Sequence, residues 1–330
     1  MNYGVLGSSG LLVSPICLGT MTFGEPVAEA EAIRLVHGAL DLGINFIDTA
    51  NVYEGYKRFF GSPGGTAEEI VGKAIQGRRD NFIVATKVCA PVGPGPQDRG
   101  LSASHILREL DRSLKRLQTD YIDLYIIHWP DKDVPLETTM GAMEQAVRQG
   151  KIRCFGASNH NAAQLCEMLW LADTNGCPRV VSSQIPYSLL RREFHHDLTF
   201  CQRHSIAVTP YQPLQGGLLT GKYTRGVAPP DDSRAAEKPA WMWTFGDELF
   251  DQLEKVEVLS AEIDCPTAQY SLAWTLSQTA MSSLVVGVKS MKQIQDAVDS
   301  VGIEIPASHI EQLDQICPPP WQQQDPIRGG

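Results

Sequence analysis

The chain has 330 residues, with 38 acidic against 28 basic side chains and a formal charge of −10. This balance excludes a general nucleic-acid-binding surface, which needs clustered Lys and Arg, so an anionic ligand has to be met by a local basic patch. A hydrophobic content of 43% with 20% charged residues excludes disorder, and no apolar run or N-terminal signal pattern points to a membrane, so a cytoplasmic protein is expected.

Residues 3–12 place Gly7-Ser8-Ser9-Gly10 between short apolar flanks, the pattern of a small hairpin. From there a β-then-α rhythm sets in. Strand 13–20 leads to helix 28–42, which stops at Gly43, and strand 45–50 leads through a loop to helix 66–76, which stops at Gly77. Strand 82–88 precedes helix 102–117, whose apolar Ile106, Leu107, Leu110, Leu114 and Leu117 recur at helical spacing. The run from Tyr121 is apolar and β-rich, and Pro130 cannot join a central ladder, so 122–128 reads as a buried parallel strand that delivers His128 to its C-terminal edge. Helix 135–149, strand 154–158, helix 162–174, strand 180–185, helix 196–204 and strand 207–212 follow. The chain then gives an irregular passage at 216–240, helices within 247–277, a last strand at 283–287 and a helix at 291–300.

Eight strands, each followed by at least one helix, imply parallel strands with right-handed crossovers. The expected class is α/β, closed as a (β/α)8 TIM barrel with an N-terminal β-hairpin and long loops at its C-terminal face, residues 1–330 forming one domain. An open doubly wound sheet is the alternative, but Gly19-Thr20-Met21-Thr22-Phe23-Gly24 after the first strand is not the G-x-G-x-x-G fingerprint. The eight cysteines form no C-x-x-C pair, so neither a zinc knuckle nor a dithiol motif is expected.

In such a barrel reactive groups gather at the C-terminal strand ends. The second strand ends at Asp48, with Tyr53 five residues on; the third ends at Lys87 and the fourth at His128. Singly, each has a structural explanation: a cap, a solvated edge, a packed ring, a hydrogen-bonded strand terminus. At consecutive strand ends they form a set.

Asp48-Thr49-Ala50-Asn51-Val52-Tyr53, Ala85-Thr86-Lys87 and Ile127-His128-Trp129-Pro130 resemble the Asp, Tyr, Lys and His motifs of the aldo-keto reductase superfamily, in the branch that includes potassium-channel β-subunits. Gly156-Ala157-Ser158-Asn159, Gln184-Ile185-Pro186-Tyr187 and the stretch from Pro213 to Tyr223 are similar to further motifs of that family, in the same order over roughly residues 3 to 300. The resemblance implies an NADP-dependent reductase of aldehydes or ketones, reversible as an alcohol or sugar dehydrogenase, with Asp48, Tyr53, Lys87 and His128 catalytic. Carbonyl reduction needs a proton for the oxygen that receives hydride charge. An ammonium beside a phenol favours phenolate, and a carboxylate keeps that ammonium charged, so Lys87 and Asp48 are expected to make Tyr53 more acidic while His128 orients the carbonyl. Metal chemistry would need clustered His and carboxylate ligands, and only His128 and Asp48 qualify, beside a lysine that disfavours a cation.

The resemblance also implies a cofactor wall. Ser158, Asn159 and Gln184 would grip the nicotinamide carboxamide and Tyr211 would stack on its ring, with Thr20, Met21 and Asp48 nearby. Pyrophosphate would lie over 212–222, including Gln212, Pro213, Leu214, Gly216 and Lys222, and the ribose phosphate would meet Gly287, Lys289 and Gln293. Lys289 is the reason to expect NADP rather than NAD, since an ammonium pairs with a phosphate dianion and gains little from a hydroxyl. The sequence departs from the family at Gln212, where a small Ser is usual, at Gln293, where many members have Arg, and at Ala297, where an adenine-contacting Asn is usual. His160 also replaces an aromatic; it and the pair His195-His196 read as surface residues.

Phe23, Tyr56, Trp129, Tyr187 and Trp241 are expected to line the substrate pocket, with Met21 and Phe59 or Phe60 at its edge and loop 90–100 as one wall. The aromatic segment Trp241 to Phe245 is either a lid or a patch on the outside of the barrel. Neither the carbonyl compound nor the oligomeric state, monomer or homo-oligomer, is legible. A regulatory subunit of the potassium-channel β-subunit type, binding cofactor with little turnover, is the alternative to an enzyme.

Overall fold

A computed structural model describes residues 1–320. The chain starts with β1 (Gly4–Val5) and β2 (Leu12–Val13), paired antiparallel as the expected hairpin. Then come β3 (Ile16–Gly19), α1 (Glu29–Asp41), β4 (Phe46–Asp48), α2 (Thr66–Ile75), β5 (Ile83–Val88), α3 (Ala103–Leu117), β6 (Ile122–Ile127) and α4 (Leu136–Arg148). The second half holds β7 (Ile152–Ser158), α5 (Ala162–Asn175), β8 (Ser182–Gln184), α6 (His195–Arg203), β9 (Ala207–Val208) and α7 (Arg234–Glu237). It continues with α8 (Asp247–Glu262), α9 (Thr267–Leu276), β10 (Leu284–Gly287), α10 (Met291–Asp299) and α11 (Ala307–Ile316).

The eight barrel strands run parallel in the order β10-β3-β4-β5-β6-β7-β8-β9. Closure between the two ends comes from bridges at Val208↔Met281 and Tyr211↔Val285, with Val285 N–H donating to Pro210 O at 2.9 Å. The fold is thus a (β/α)8 barrel and not an open doubly wound sheet. Among the described residues no helix is long and apolar enough to cross a membrane.

The period-2 alternation of the strands sorts their side chains into two cores. Cys17, Phe46, Ala85, Leu124 and Ile126 point into the barrel and pack with Leu6 and Val13, so the hairpin plugs the N-terminal end. Ile16, Leu18, Ile47, Val84, Tyr125 and Ile127 point outward into the larger core shared with the helices. Counting two residues on from Phe46, Ala85 and Ile126 gives Asp48, Lys87 and His128. The same register that buries the apolar layer therefore aims these three groups inward at the opposite, C-terminal mouth.

The helices expected within 247–277 are two, broken where Asp264 takes φ 51° ahead of Pro266. Beyond the sequence reading, α11 extends the helical region past residue 300. The passage 216–240, expected to be irregular, holds 3-10 turns at Gln215–Thr220 and Pro239–Trp241 with the short helix α7 between them.

Helix α2 crosses α3 so closely that a Cβ on Gly72 would collide with the carbonyl oxygen of Arg116. Gly72→Ala is therefore expected to lower unfolding stability by about 1–3 kcal/mol, the usual cost of overpacking. A urea midpoint equal to that of the parent protein would refute this close approach.

Candidate active site

Asp48 ends β4 and Lys87 lies in β5, while His128 directly follows β6, where its N–H donates to Val88 O at 2.9 Å. Tyr53 is carried on the turn after β4, its N–H bonded to Ala50 O. Lys87 is fully buried and its ammonium donates to Asp48 Oδ2 at 2.6 Å, Thr49 O at 2.8 Å and Tyr53 Oη at 3.2 Å. All three ammonium hydrogens are used. The other Asp48 oxygen accepts from Gln184 Nε2 at 2.8 Å. A carboxylate can only accept, so the Gln184 amide nitrogen must face it, leaving the Gln184 oxygen for a ligand donor.

Burial would lower the charge state of Lys87, but Asp48 and Tyr53 outweigh it and hold the ammonium's pKa above its ordinary value. The Tyr53 phenol is also raised: burial dominates, Lys87 pulls it down, and Asp48 pushes it up again. Lys87 thus pulls the phenol down as expected, but burial, which the sequence does not show, outweighs that pull and leaves the net shift upward. The phenol is held protonated. His128 is lowered well below the ordinary imidazole range by burial and then by the charges of Lys87 and Arg58, so it is neutral. Its ring meets Tyr53 edge-on, centroids 6.0 Å apart at 76°, and Trp129 stacks on it at 3.8 Å.

These groups stand at one end of a cavity of about 630 Å³. Thr20, Met21, Ser158, Asn159, Gln184, Tyr211, Gln212, Pro213, Leu214, Gly216, Lys222, Gly287, Lys289 and Gln293 all border it, as do Asp48, Tyr53, Tyr56 and His128. Asn159, at φ 61°, is committed on both sides: its amide donates to His128 O at 2.9 Å and Ser158 Oγ at 3.1 Å and accepts from Tyr211 Oη at 2.8 Å. Only a lone pair remains for a ligand. Gly216 and Gly217 take φ 68° and 96°, and their missing Cβ atoms leave room for Met242 and Lys222. Burial lowers the Lys222 ammonium, so an anion beside it would be welcome.

The insertion after β9 lies against the mouth. Lys289 Nζ donates to Asp232 O at 2.7 Å and pairs with Glu237, so the strap is tied to the loop after β10. Trp241 packs edge-on against Tyr56 at 5.5 Å, with Lys238 over both rings. Of the two readings of the aromatic segment, the contact with cavity-lining Tyr56 favours the lid, although Trp241 and Trp243 stay 45% and 39% exposed.

Four residues expected at the substrate pocket are not among those that border this cavity. Phe23 and Tyr187 are fully buried in the main core. Phe23 is folded inward by the tight turn in which its N–H bonds Thr20 O. Tyr187 stacks on Trp274 at 5.9 Å and pairs its hydroxyl with His195 Nδ1 at 2.6 Å. Trp129 and Trp241 each pack on a residue that borders the cavity, His128 and Tyr56 respectively. Phe59 and Phe60 are 67% and 77% exposed. His160 is not a surface residue: it is buried, with Nδ1 against Ser158 O at 2.7 Å, and His195 is half-buried on Tyr187. His196 is exposed.

The sequence reading passed over Arg234, which borders the cavity from α7, and Arg58, whose guanidinium bonds Val52 O and Pro91 O near His128. The sole local signal for Arg234 was a cationic residue in an otherwise irregular insertion. Ala297 is buried on the cavity wall, so the position held by Asn in the family contributes a methyl group here.

Comparison with known proteins agrees with this geometry. The sequence profile of the Aldo/keto reductase family matches residues 15–318. The chain is 36% identical over 328 residues to an uncharacterized oxidoreductase, YrpG, of Bacillus subtilis, covering 97% of each chain. It is 34% identical to a probable voltage-gated potassium channel subunit beta of Arabidopsis thaliana, over 96% of this chain and 98% of that one. It is 33% identical to protein tas of Escherichia coli, over 96% and 97%. A barrel of this design with these relatives is an NAD(P)H-dependent oxidoreductase. The chain belongs to the aldo/keto reductase family.

Lys87→Met would leave the Asp48 carboxylate buried without its cation. A stability loss of about 3–5 kcal/mol is expected, read as a lower melting temperature. An unchanged melting temperature would show that water or another cation reaches Asp48.

Proposed function

We propose that the protein is an NADPH-dependent reductase of aldehydes or ketones, acting in the cytoplasm as one domain and reversible as an alcohol or sugar dehydrogenase; of the 1–330 expected for that domain, residues 321–330 lie outside the described residues. The observation that carries this reading is the 3.2 Å contact between the Tyr53 hydroxyl and the Lys87 ammonium, backed by Asp48 and set at the cavity end beside a neutral His128. Bound NADPH would supply the hydride. The residues present fit such a dinucleotide: the carboxamide has the Gln184 side-chain oxygen, the remaining lone pair of the Asn159 oxygen and Ser158, and the ring has Tyr211. The pyrophosphate has the bare Gly216-Gly217 backbone with Lys222.

The adenosine ribose phosphate would be met by Gly287, Lys289 and Gln293, and Arg234 and Lys292, which also border the cavity, favour NADP over NAD. Lys289 already pairs with Glu237, so its preference for a phosphate depends on sharing or exchanging that partner.

Within this reading the protonated Tyr53 gives its proton to the substrate oxygen, and Lys87 stabilises the phenolate left behind. Asp48 keeps Lys87 charged and placed. Neutral His128, having one N–H, can donate a hydrogen bond to the carbonyl oxygen without adding a second positive charge beside Lys87. In the oxidation direction the same phenolate accepts the alcohol proton.

A second reading is a cofactor-binding regulatory subunit, supported by the likeness to a probable potassium channel subunit beta. Tight NADPH binding with negligible turnover on a broad carbonyl panel would favour it.

Tyr53→Phe is expected to cut reduction kcat by about 10²-fold or more while NADPH affinity, read by fluorescence titration, is unchanged. Full turnover in this variant would remove Tyr53 as the proton donor. The raised phenol and lowered imidazole also set a pH profile. Reduction needs the phenol protonated, so it is present below the phenol's pKa and lost above it. The rate should be level between about pH 6 and 8 and fall in the alkaline range as oxidation rises. A limb near the ordinary imidazole value would contradict the neutral His128.

A further inference from the structure

Two carboxylates, Glu68 on α2 and Glu109 on α3, are fully buried on the helix side of the barrel and take no part in the chemistry described so far. Burying a carboxylate costs more than burying a well-packed apolar side chain of similar volume, so the stability of the fold does not explain them. Their hydrogen bonds do. Glu68 Oε1 accepts from Thr86 Oγ1 at 2.5 Å, and Glu109 Oε2 accepts from Asn51 Nδ2 at 3.3 Å. Thr86 is the residue before Lys87 and Asn51 lies two residues before Tyr53.

Strand alternation makes the geometry specific. Thr86 and Lys87 point to opposite faces of β5, so the outward hydroxyl that is fixed on Glu68 fixes the inward ammonium one residue on. Asn51 N–H donates to Lys87 O at 3.3 Å, which joins the two carriers directly. On the far side one guanidinium serves both acids: Arg116 Nε donates to Glu68 Oε2 at 2.6 Å and its other end lies 3.8 Å from Glu109 Oε2. Arg112 donates to Glu109 Oε1 at 2.7 Å from the half-exposed rim of α3.

We propose that Glu68 and Glu109 are positioning residues that lock Lys87 and Tyr53 in register, acting through Thr86 and Asn51 and held by Arg116 and Arg112. The two acids touch neither cavity nor substrate. They turn the α2/α3 interface into a clamp on the strand and the turn that must keep a 3.2 Å contact. The proposal rests on the reading of Tyr53 as proton donor.

The experiment compares Thr86→Val, Thr86→Ser and Asn51→Ala with the parent protein, each assayed for NADPH dissociation constant, carbonyl KM, kcat and the pH dependence of kcat. Misplacing a reacting group by about 1 Å costs on the order of 10²-fold. Thr86→Val and Asn51→Ala are expected to lose about 10- to 100-fold in kcat, with the NADPH constant and carbonyl KM held within about twofold. Their alkaline limb should move, because the Lys87 effect on the phenol depends on that contact, and Thr86→Ser should restore both rate and limb.

Arg112→Ala guards against a buried variant that does not fold, since this side chain is 49% exposed and its loss leaves Glu109 only the longer cation contacts, to Arg116 at 3.8 Å and Arg108 at 3.9 Å. It is expected to lower kcat by about threefold or more with KM unchanged. Unchanged kcat in Arg112→Ala and in whichever buried variants fold would overturn the proposal. So would a kcat loss that merely follows loss of NADPH binding, or one that Thr86→Ser fails to restore. Full turnover in Tyr53→Phe would instead sink the underlying reading, whatever these variants do.

Discussion

The ammonium of Lys87 is the charge on which the C-terminal end of this barrel depends. It is removed from water and has three donors to satisfy, and each partner comes from the strand or turn next door: the Asp48 carboxylate, the Thr49 carbonyl and the Tyr53 hydroxyl. A buried cation lacking any one of them would leave a donor without a partner in a low-dielectric setting. The turn after β4 is therefore constrained to bring Tyr53 back over β5, and Asp48 is constrained to split its two oxygens between Lys87 and Gln184. One electrostatic requirement thus ties together the strands β4, β5 and β8 at the mouth.

What could be read from the sequence follows from that arrangement. Parallel strands of a closed barrel have a fixed inside and outside, so a polar residue placed two positions after an inward apolar one, as Asp48 is after Phe46, must face the mouth. The eight barrel strands and the inward Asp48, Lys87 and His128 were legible for this reason. Side chains beyond a strand end lack such a register. Phe23 and Tyr187 sit in loops where a single turn decides between cavity and core, and both rings turn to the core, where a large apolar surface is worth more than at a solvated rim. His160 is buried for a similar reason, its ring held by the Ser158 carbonyl, a partner two residues away that no periodicity announces.

The protonation of the site was illegible in another way. Residue types give the sign of each charge near Tyr53 but not how much water has left. Burial raises the phenol more than Lys87 lowers it. This outcome suits an acid whose acceptor is a developing alkoxide, far more basic than the phenol, so the group needs to be protonated at rest more than it needs to be acidic. The contribution of Lys87 then falls on the product side, where it meets a phenolate.

The strap over the cavity completes the charge accounting that composition alone leaves open. A protein with a formal charge of −10 still lines this cavity with Lys222, Arg234, Lys289 and Lys292. Acids stand among them: Glu237 pairs with Lys289, Asp296 pairs with Lys292, and Asp232 gives Lys289 its main-chain oxygen. These acids lower the cost of gathering four cations in one cleft, at the expense of competing with any phosphate that enters. Because the Glu237 contact is made by the strap and the Asp296 contact by α10, the two competitors differ in kind. The Lys292–Asp296 pair lies within one helix and can break without moving backbone. The Lys289–Glu237 pair joins the loop after β10 to the end of α7 in the insertion, so an anion that takes Lys289 from Glu237 also loosens the tie that holds the strap against the mouth.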